Sequence, residues 1–477
     1  MNFRDQIRHA LQAGPPLLAL ATQEEDRALA ALKAALDGEA YTVWNCLTGF
    51  SPETRDPIAA LVHTRRLENR VVVFKDLHAH FQLPGVIRAL RDLYYEGLAS
   101  NKLVVLIGKL GEVPTDLSEE LAVIQPKPPD GSELLAVLAG AHPTRALPVA
   151  LHETVLLALR GLSVTQAGQV IRRVLASEGE FDEQRVLREI FAAKEALIGQ
   201  LGYLQFVPPQ GELSGVGGLG NLTDWIEKRS GLFCQTSVDA GLPIPRGILM
   251  MGVSGCGKSL VAKVVASTWK LPLFRLDMNV IYSGACGSPE AAFHTALQTI
   301  ESVAPAVLWI DELENGLGSR EGGGLDQSHL FSAFLTWMQE KPPLIFVAAT
   351  ANRIEMLPAE ILRKGRFDQV FFCDLPAGQD REAIFRIHLQ AHGASPEDFD
   401  LEHLVTATDG WTGAEIEEAV RAARIDAQVT DRAMTLRDIG RHIRTMVPLS
   451  ETMSEQIKAL RNWAFGRATL ASSNKRR

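Results

Sequence analysis

At 477 residues, the chain is long enough for about two to four domains that each bury a core. Its 57 acidic and 48 basic residues give a formal net charge of −9, and this acidic balance disfavours nucleic acid as a partner. Five cysteines without paired spacing argue against a disulfide framework or a zinc site, and favour a reducing compartment. Because no apolar run is long enough to span a bilayer, we predict a cytoplasmic protein without a membrane segment.

The first 135 residues alternate short β-rich runs with helical stretches. The strand candidates are 17–21, 41–44, 71–74, 104–107 and 121–124. Alternation of this kind predicts a parallel sheet with helices on its faces. Residues 1–135 are therefore expected to form an α/β domain.

Five further segments follow along the chain. Residues 136–205 have apolar residues at helical spacing and predict a helical segment, while 206–215 include two adjacent prolines and predict a linker. A second α/β domain is expected over 216–376, and helices over 377–471. The polar, basic residues 472–477 are expected to form a flexible tail.

Residues 252–260 have the composition of a phosphate-binding loop. They lie between an apolar run at 247–251, which predicts a buried strand, and a helical pattern. Glycines let backbone N–H groups point at phosphates, and the helix N-terminus adds a favourable partial charge. Lys258 can then reach the β- and γ-phosphates, while the Ser259 hydroxyl can ligate Mg²⁺. The predicted nucleotide-binding residues here are Gly252, Val253, Ser254, Gly255, Cys256, Gly257, Lys258, Ser259 and Leu260.

Two adjacent carboxylates follow the apolar run 307–310. Asp311 suits a magnesium site because hard cations prefer oxygen ligands, and Glu312 suits polarising the attacking water. The next apolar run, 344–349, leads to Asn352, whose amide can orient that water or sense the γ-phosphate. The sequence therefore predicts Ser259 and Asp311 as metal ligands and Glu312 and Asn352 as catalytic residues.

Two arginines, Arg363 and Arg366, lie three residues apart beside a glycine. Such a pair can project from one surface into a neighbouring subunit. An arginine supplied to a γ-phosphate raises the rate by about 10³–10⁵. We therefore include both among the predicted catalytic residues; the alternative is an ordinary pair of surface charges.

Taken together, these motifs resemble the AAA subgroup of the AAA+ ATPases. Val216-Gly217-Gly218-Leu219 resembles the segment that lies against the adenine in that family, and the string from Trp411 to Ile416 resembles its lid-helix motif. Shorter strings, such as Gly241-Leu242-Pro243, resemble a narrower group of AAA ATPases encoded by cyanobacteria and algal plastids.

The resemblance implies a P-loop AAA+ parallel-sheet domain with a C-terminal helical lid. It implies ATP and Mg²⁺ as cofactors, with Gly217 and Gly218 as further nucleotide-binding residues. It also implies a ring, usually a homo-hexamer, in which Arg363 and Arg366 act on the ATP of the adjacent subunit. It implies no particular substrate.

Residues 1–135 are expected to be a degenerate AAA+-like copy of the same fold, followed by a lid-like helical segment. The acidic string from Thr22 to Arg27 stands where the phosphate loop would be, and Leu77 where the catalytic glutamate would be. Carboxylates at this place would repel phosphate. The alternative is an unrelated α/β domain whose strand spacing matches by chance.

Two loops and one cysteine leave their roles open. Ala285-Cys286-Gly287 stands where threading members of the family carry an aromatic–hydrophobic–Gly loop; Tyr282 could replace the aromatic, or could be a packed loop residue. The glycine-rich run 316–324 fits either a second pore loop or a connector. Cys256 lies at a helix N-terminus beside Lys258, surroundings that lower a thiol pKa, or the position simply requires a small residue.

The leading hypothesis is an oligomeric, Mg²⁺-dependent ATPase that hydrolyses ATP to ADP and phosphate and remodels a protein substrate or adaptor. The alternative is a slow, nucleotide-switched scaffold that recruits partners through residues 1–204. A nucleic-acid motor is the third hypothesis, which the acidic balance disfavours.

Overall fold

A computed structural model describes residues 3–111, 113–141, 145–177, 181–198, 202–208, 215–283, 288–314, 325–353, 356–363 and 365–474. The chain divides into two compact units. The first comprises Met1–Ala146 and Leu162–Leu175, and the second comprises Leu147–Gly161 and Ala176–Arg477.

The first unit is built on a five-stranded sheet. Its strands lie in the order β2-β3-β4-β1-β5 and every neighbouring pair is parallel. They are β1 (Leu17–Ala21), β2 (Tyr41–Trp44), β3 (Val71–Lys75), β4 (Leu103–Gly108) and β5 (Leu121–Ile124). All five strands, and their parallel arrangement, are as the sequence predicts.

Helices cover both faces of this sheet because alternate strand residues enter different cores. Leu17 and Val72 belong to one apolar cluster, whereas Leu18 and Val73 belong to the other. The helices of this unit are Phe3–Ala13, Glu25–Ala35, Pro57–His63, Pro84–Ser100, Gly131–Gly140 and Val164–Ala176.

The second unit is built on a seven-stranded sheet in the order β12-β11-β7-β10-β9-β8-β6. β6 is antiparallel to β8, and the other pairs are parallel. The strands are β6 (Leu204–Val207), β7 (Gly247–Gly252), β8 (Leu273–Leu276), β9 (Ala306–Ile310), β10 (Ile345–Ala351), β11 (Gln369–Cys373) and β12 (Thr469–Leu470).

Helices also pack on both faces of the second sheet, and a separate apolar cluster that includes Phe385 and Trp411 holds the lid helices together. Before the lid, the helices are Val149–Leu159, Glu183–Ile198, Gly220–Glu227, Gln235–Asp239, Lys258–Thr268, Met278–Tyr282, Pro289–Ser302 and Leu325–Glu340. From the lid onward, they are Gly378–Ala391, Leu401–Ala407, Gly413–Val429, Leu436–Thr445, Leu449–Thr452 and Ser454–Ala464.

Both sheets contain the same core of five parallel strands in the same order, since β2-β3-β4-β1-β5 corresponds to β8-β9-β10-β7-β11. Matching Ile107 on β4 to Ala349 on β10 puts the two sheets in one shared register, in which Leu20 corresponds to Leu249 and Lys75 to Ile310. This confirms an AAA+-like fold for the N-terminal unit.

The shared register identifies what the first unit lacks. In this register Lys75 corresponds to Ile310. The next residues along each chain therefore correspond as well, Asp76 to Asp311 and Leu77 to Glu312. Between β1 and the next helix stands no glycine loop but Glu24, whose carboxylate accepts hydrogen bonds from Arg27 (3.1 Å) and from the Val164 N–H (2.6 Å). Acidic groups therefore occupy the place where the second unit has its phosphate loop.

Three parts of the second unit differ from the sequence expectation. Residues 204–207, expected in the helical segment and the linker, form β6. Leu204 and Phe206 pair with β8 and pack in the apolar core of the second unit. β12 lies where only helices were expected. Ser472 and Asn474, expected in a flexible tail, both donate hydrogen bonds to Asp380, while 475–477 lie outside the described residues.

The difference between the two units predicts the nucleotide stoichiometry of the full chain. Calorimetric titration with Mg-ATP should give one site per chain, because only the second unit carries a phosphate loop. The Lys258→Ala variant should show no residual tight site. Two sites per chain, or a tight site that survives in Lys258→Ala, would contradict the degenerate-copy interpretation.

Candidate functional site

The 252–257 loop joins β7 to the helix Lys258–Thr268 through positive backbone angles. Gly252, Gly255 and Gly257 have φ values of +132°, +77° and +83°, a region that side chains other than glycine rarely adopt. A Cβ on Gly252 would also lie 2.1 Å from the carbonyl oxygen of Cys373. The loop therefore needs glycine at these positions, as a phosphate cradle does.

Lys258 is held inside this loop. Its side chain is buried, and Nζ donates to the carbonyl oxygens of Gly252 (2.9 Å) and Val253 (2.7 Å). Burial lowers the pKa of the Lys258 ammonium. Phosphate oxygens are charged acceptors, which make stronger hydrogen bonds than carbonyls. The residues present therefore fit a bound phosphate chain.

Asp311 connects three elements of the second unit. Its Oδ1 accepts hydrogen bonds from Ser259 Oγ (3.2 Å) on the phosphate-loop helix and from Thr350 Oγ1 (2.7 Å) on β10. Its Oδ2 lies 3.9 Å from Nη2 of Arg275 on β8. A carboxylate beside two hydroxyls is an oxygen-rich set suited to Mg²⁺, so the donors present fit the metal.

Glu312 and Asn352 lie together at the ends of neighbouring strands. Asn352 Nδ2 donates to Glu312 Oε1 (2.9 Å), and the Glu312 N–H donates to Thr350 Oγ1 (2.9 Å). Glu312 has a φ of +50°, an uncommon backbone conformation for a residue with a side chain. The bond to Thr350 stabilises this turn, which brings the Glu312 carboxylate to the cavity wall beside Asn352.

The sequence analysis does not identify two residues that hold this arrangement in place, Thr350 and Glu314. Thr350 stands two residues before Asn352, and its hydroxyl near the end of β10 is the feature of the sequence that could indicate its role. Glu314 is buried, and its Oε1 accepts the N–H groups of Asn352 (2.8 Å) and Arg353 (3.1 Å). Glu314 Oε2 has no hydrogen-bond partner among the described residues. Glu314 therefore fixes the turn that carries Asn352.

A cavity of about 540 Å³ joins these groups. Gly217 and Gly218 form part of one wall, and Ile384 and His388 of the lid helix Gly378–Ala391 form another. Burial lowers the pKa of His388. Of the predicted site residues, those that line the cavity are Gly217, Gly218, Ser254, Gly255, Cys256, Gly257, Lys258, Ser259, Leu260, Asp311, Glu312 and Asn352.

The two predicted arginines do not line this cavity in the part of the chain that the structure describes. Arg363 is exposed, and Arg366 is partly exposed with its Nη1 bonded to the carbonyl oxygen of Glu360. Both follow the 3₁₀ turn Ala359–Leu362. Gly252 and Val253 also lie outside the cavity lining, where their carbonyls hold Lys258.

The expected lowering of the Cys256 pKa is wrong. Burial raises the pKa of this thiol, aided by the neighbouring Cys373, and these effects outweigh the nearby Lys258 charge. A small buried residue is what the position requires.

The two loops are not placed by the structure. Ala285-Cys286-Gly287 and 316–324 lie outside the described residues. Tyr282 packs against the apolar core of the second unit, and burial raises its pKa to about 12. Its packing favours the packed-residue interpretation over that of a pore aromatic.

Two stretches of the chain match known family profiles. Residues 248–375 match the ATPase family associated with various cellular activities (AAA), and residues 3–126 match the SpoVK-like AAA ATPase N-terminal domain. The fold, the phosphate loop and these matches define an AAA ATPase domain preceded by an AAA-associated N-terminal domain.

Relatives of nearly the same length narrow this class. The AAA domain-containing protein ycf46 of Pyropia yezoensis is 34% identical over an alignment of 494 positions, which spans 99% of this chain and 100% of the relative. The ycf46 protein of Guillardia theta is 33% identical over an alignment of 492 positions, which spans 99% of this chain and 97% of that relative. The chain belongs to this ycf46 family of AAA proteins, which confirms both resemblances identified in the sequence.

More distant similarity extends to ATP-dependent proteases. The zinc metalloprotease FtsH 3 of Petrotoga mobilis is 32% identical over 230 residues, which span 46% of this chain and 35% of that protein.

Within the described ranges of this chain, no cluster of three or more His, Cys, Asp or Glu residues could hold a metal ion. No helix in those ranges is long and apolar enough to cross a membrane.

Glu314 provides a test of how the site is positioned. Glu314→Ala should lower kcat of ATP hydrolysis by about tenfold or more, since hydrogen bonds to a charged group are worth about 1.5–3 kcal/mol each. The Kd for Mg-ATP should change little, because Glu314 holds the Asn352 turn and not the phosphate loop. Glu314→Gln keeps an acceptor oxygen and should recover most of the rate. A loss of affinity at unchanged kcat would contradict this role.

Proposed function

We propose that the chain is a Mg²⁺-dependent ATPase that assembles into a ring, a homo-hexamer, and uses ATP hydrolysis to remodel a protein partner. The observation that carries the proposal is the pairing of Glu312 with Asn352 beside the Asp311–Ser259 contact. This arrangement supports turnover, because a carboxylate suited to activating water lies next to a site suited to metal and phosphate.

Each group has a task that follows from its placement. Lys258 and the N–H groups of the 252–257 loop would bind the phosphates, and Ser259 and Asp311 would hold Mg²⁺. When bound, the metal neutralises charge on the phosphate oxygens. Glu312 would take a proton from the attacking water, and Asn352, which donates to the Glu312 carboxylate, would hold that carboxylate in place.

The arginines support a shared site. Since Arg363 and Arg366 do not line the cavity of their own chain and Arg363 is exposed, we propose that they reach the γ-phosphate bound by an adjacent copy. Asp368 would position them, because its Oδ2 accepts the N–H groups of Arg246 (2.6 Å) and Gly247 (2.9 Å) at the start of β7. Because β7 leads into the phosphate loop, Asp368 would connect this loop to the arginines that act on the nucleotide of the adjacent copy.

The N-terminal unit supports an interaction role. Without a phosphate loop, it would serve as a docking or ring-stabilising layer for a protein substrate or adaptor. The second candidate function, a slow nucleotide-switched scaffold, would use the same unit with little turnover. The complete set of Lys258, Asp311 and Glu312 favours the remodelling ATPase. The acidic chain disfavours nucleic acid as the partner, and its unpaired cysteine spacing suits the cytoplasm.

Two substitutions separate binding from chemistry. Glu312→Gln should bind Mg-ATP with near wild-type Kd but lose at least about 100-fold in kcat, since the amide cannot accept the proton from water. Lys258→Ala should instead weaken binding by about tenfold to a hundredfold, since a charge-assisted contact is lost. Calorimetry and steady-state turnover distinguish the two, and the exposed Glu340→Gln serves as the matched control. Near-normal turnover in Glu312→Gln would refute its role as the base.

Mixing variants tests whether the arginines act between copies. Arg363→Ala and Glu312→Gln should each be inactive alone, yet mixed assemblies should regain activity where an intact arginine meets an intact Glu312. Sedimentation of differently labelled chains establishes that mixed assemblies form. If they form and no activity returns, the arginines do not act in trans.

A further inference from the structure

A short strap, defined as residues 469–474, returns to the edge of the second sheet after the helix Ser454–Ala464. Its first residues form β12, which pairs in parallel with β11 through Phe371 opposite Thr469 and Phe372 opposite Leu470. The Ala471 N–H then donates to the carbonyl oxygen of Phe372 (2.9 Å), and Ala471 is fully buried. The strap is therefore fixed to the core sheet.

The same strap contacts the segment 216–222, which contributes Gly217 and Gly218 to the nucleotide cavity. The Leu222 N–H donates to the Ala471 carbonyl oxygen (3.2 Å), and Asn221 Nδ2 donates to the carbonyl oxygens of Leu470 (3.0 Å) and Ser472 (2.9 Å). These bonds tie one wall of the cavity to the strap.

The end of the strap reaches the lid. Ser472 Oγ donates to Asp380 Oδ2 (2.8 Å), and Asn474 Nδ2 donates to Asp380 Oδ1 (2.6 Å). Asp380 is only 3% exposed and lies on the lid helix Gly378–Ala391. The N–H of Ala377, the residue just before this helix, also donates to Asp380 Oδ2 (3.2 Å). Two side-chain donors of this buried carboxylate therefore come from the strap.

Asp380 also touches the opposite wall of the cavity. A Cβ on Gly218 would lie 2.8 Å from Asp380 Cβ, and a Cβ on Gly217 would lie 2.7 Å from Ile384 Cγ1. The glycines thus let the 216–222 segment approach the lid helix closely. A buried carboxylate is costly unless hydrogen bonds satisfy it, so Asp380 favours the arrangement in which strap, segment and helix meet.

We propose that the 469–474 strap is a positioning element for nucleotide binding: Ser472 and Asn474, acting through Asp380, hold the lid helix against the 216–222 segment and so set the cavity walls that face each other across from the phosphate loop. This inference rests on the proposed ATPase function. Ser472, Asn474 and Asp380 are positioning residues, because they act through the cavity walls and not on the reacting phosphate. When the strap bonds are absent, the lid helix and the segment lose a shared restraint.

The test measures Mg-ADP binding to the full chain by calorimetry. The Ser472→Ala/Asn474→Ala double variant should raise the Kd by about tenfold, since each bond to a buried carboxylate is strong. The KM for ATP should rise with it, while kcat at saturating ATP stays within about twofold, because the strap touches none of the groups that handle the γ-phosphate. Ser472→Thr, made alone, keeps the hydroxyl and should bind like wild type. Ser395→Ala, which removes a lid hydroxyl that donates to the nearby Glu397 (2.7 Å), is the matched control.

Several outcomes would overturn the proposal. It fails if the double variant melts at a lower temperature yet binds Mg-ADP with the wild-type Kd, since the strap is then merely structural. It also fails if Ser472→Thr binds Mg-ADP as weakly as the double variant does, or if kcat falls while Kd and KM do not change. Asn474→Ala alone covers the case in which the double variant does not fold. If wild type binds no Mg-ADP, the ATPase proposal falls and the strap inference with it, whereas normal wild-type binding with unchanged variants sinks the strap alone.

Discussion

The Asp311 carboxylate is the constraint on which the site depends. By accepting the hydroxyls of Ser259 and Thr350, it joins the phosphate-loop helix, β9 and β10 at one point. Thr350 in turn accepts the N–H of Glu312, which stabilises a backbone turn of positive φ. The carboxylate that we propose as a metal ligand and the carboxylate that we propose as the base are therefore both positioned by the Thr350 hydroxyl.

The two sheets of this chain separate fold from chemistry. They have the same core strand order, because short, near-continuous apolar runs that alternate with helical stretches specify a parallel sheet with two covered faces. The phosphate loop needs more: glycines at positive φ and a lysine at the start of the helix. Glu24, which stands between β1 and the next helix, accepts the backbone N–H of Val164 and places a carboxylate where the second unit has its phosphate loop. A fold is thus retained where its site is not.

The sequence predicts every strand of the first sheet and the phosphate-loop residues that line the cavity, because short apolar runs and the glycine loop are local signals. It does not predict Thr350 or Glu314, whose roles depend on two neighbouring strands ending together. Nor does it predict the strap: Ser472 and Asn474 look like solvated tail residues until Asp380, over ninety positions earlier, is placed beside them. Contacts that distant in sequence carry no periodic pattern.

We propose that the chain hydrolyses ATP at a site that a second copy completes. The most direct test is the specific ATPase activity of the wild-type chain in Mg²⁺ buffer over a wide range of protein concentration, with sedimentation velocity run on the same samples. Activity per chain should be near zero where single chains sediment and should rise in step with the assembled fraction. Full activity per chain in dilute samples that contain only single chains would show that one chain forms a complete site without a second copy.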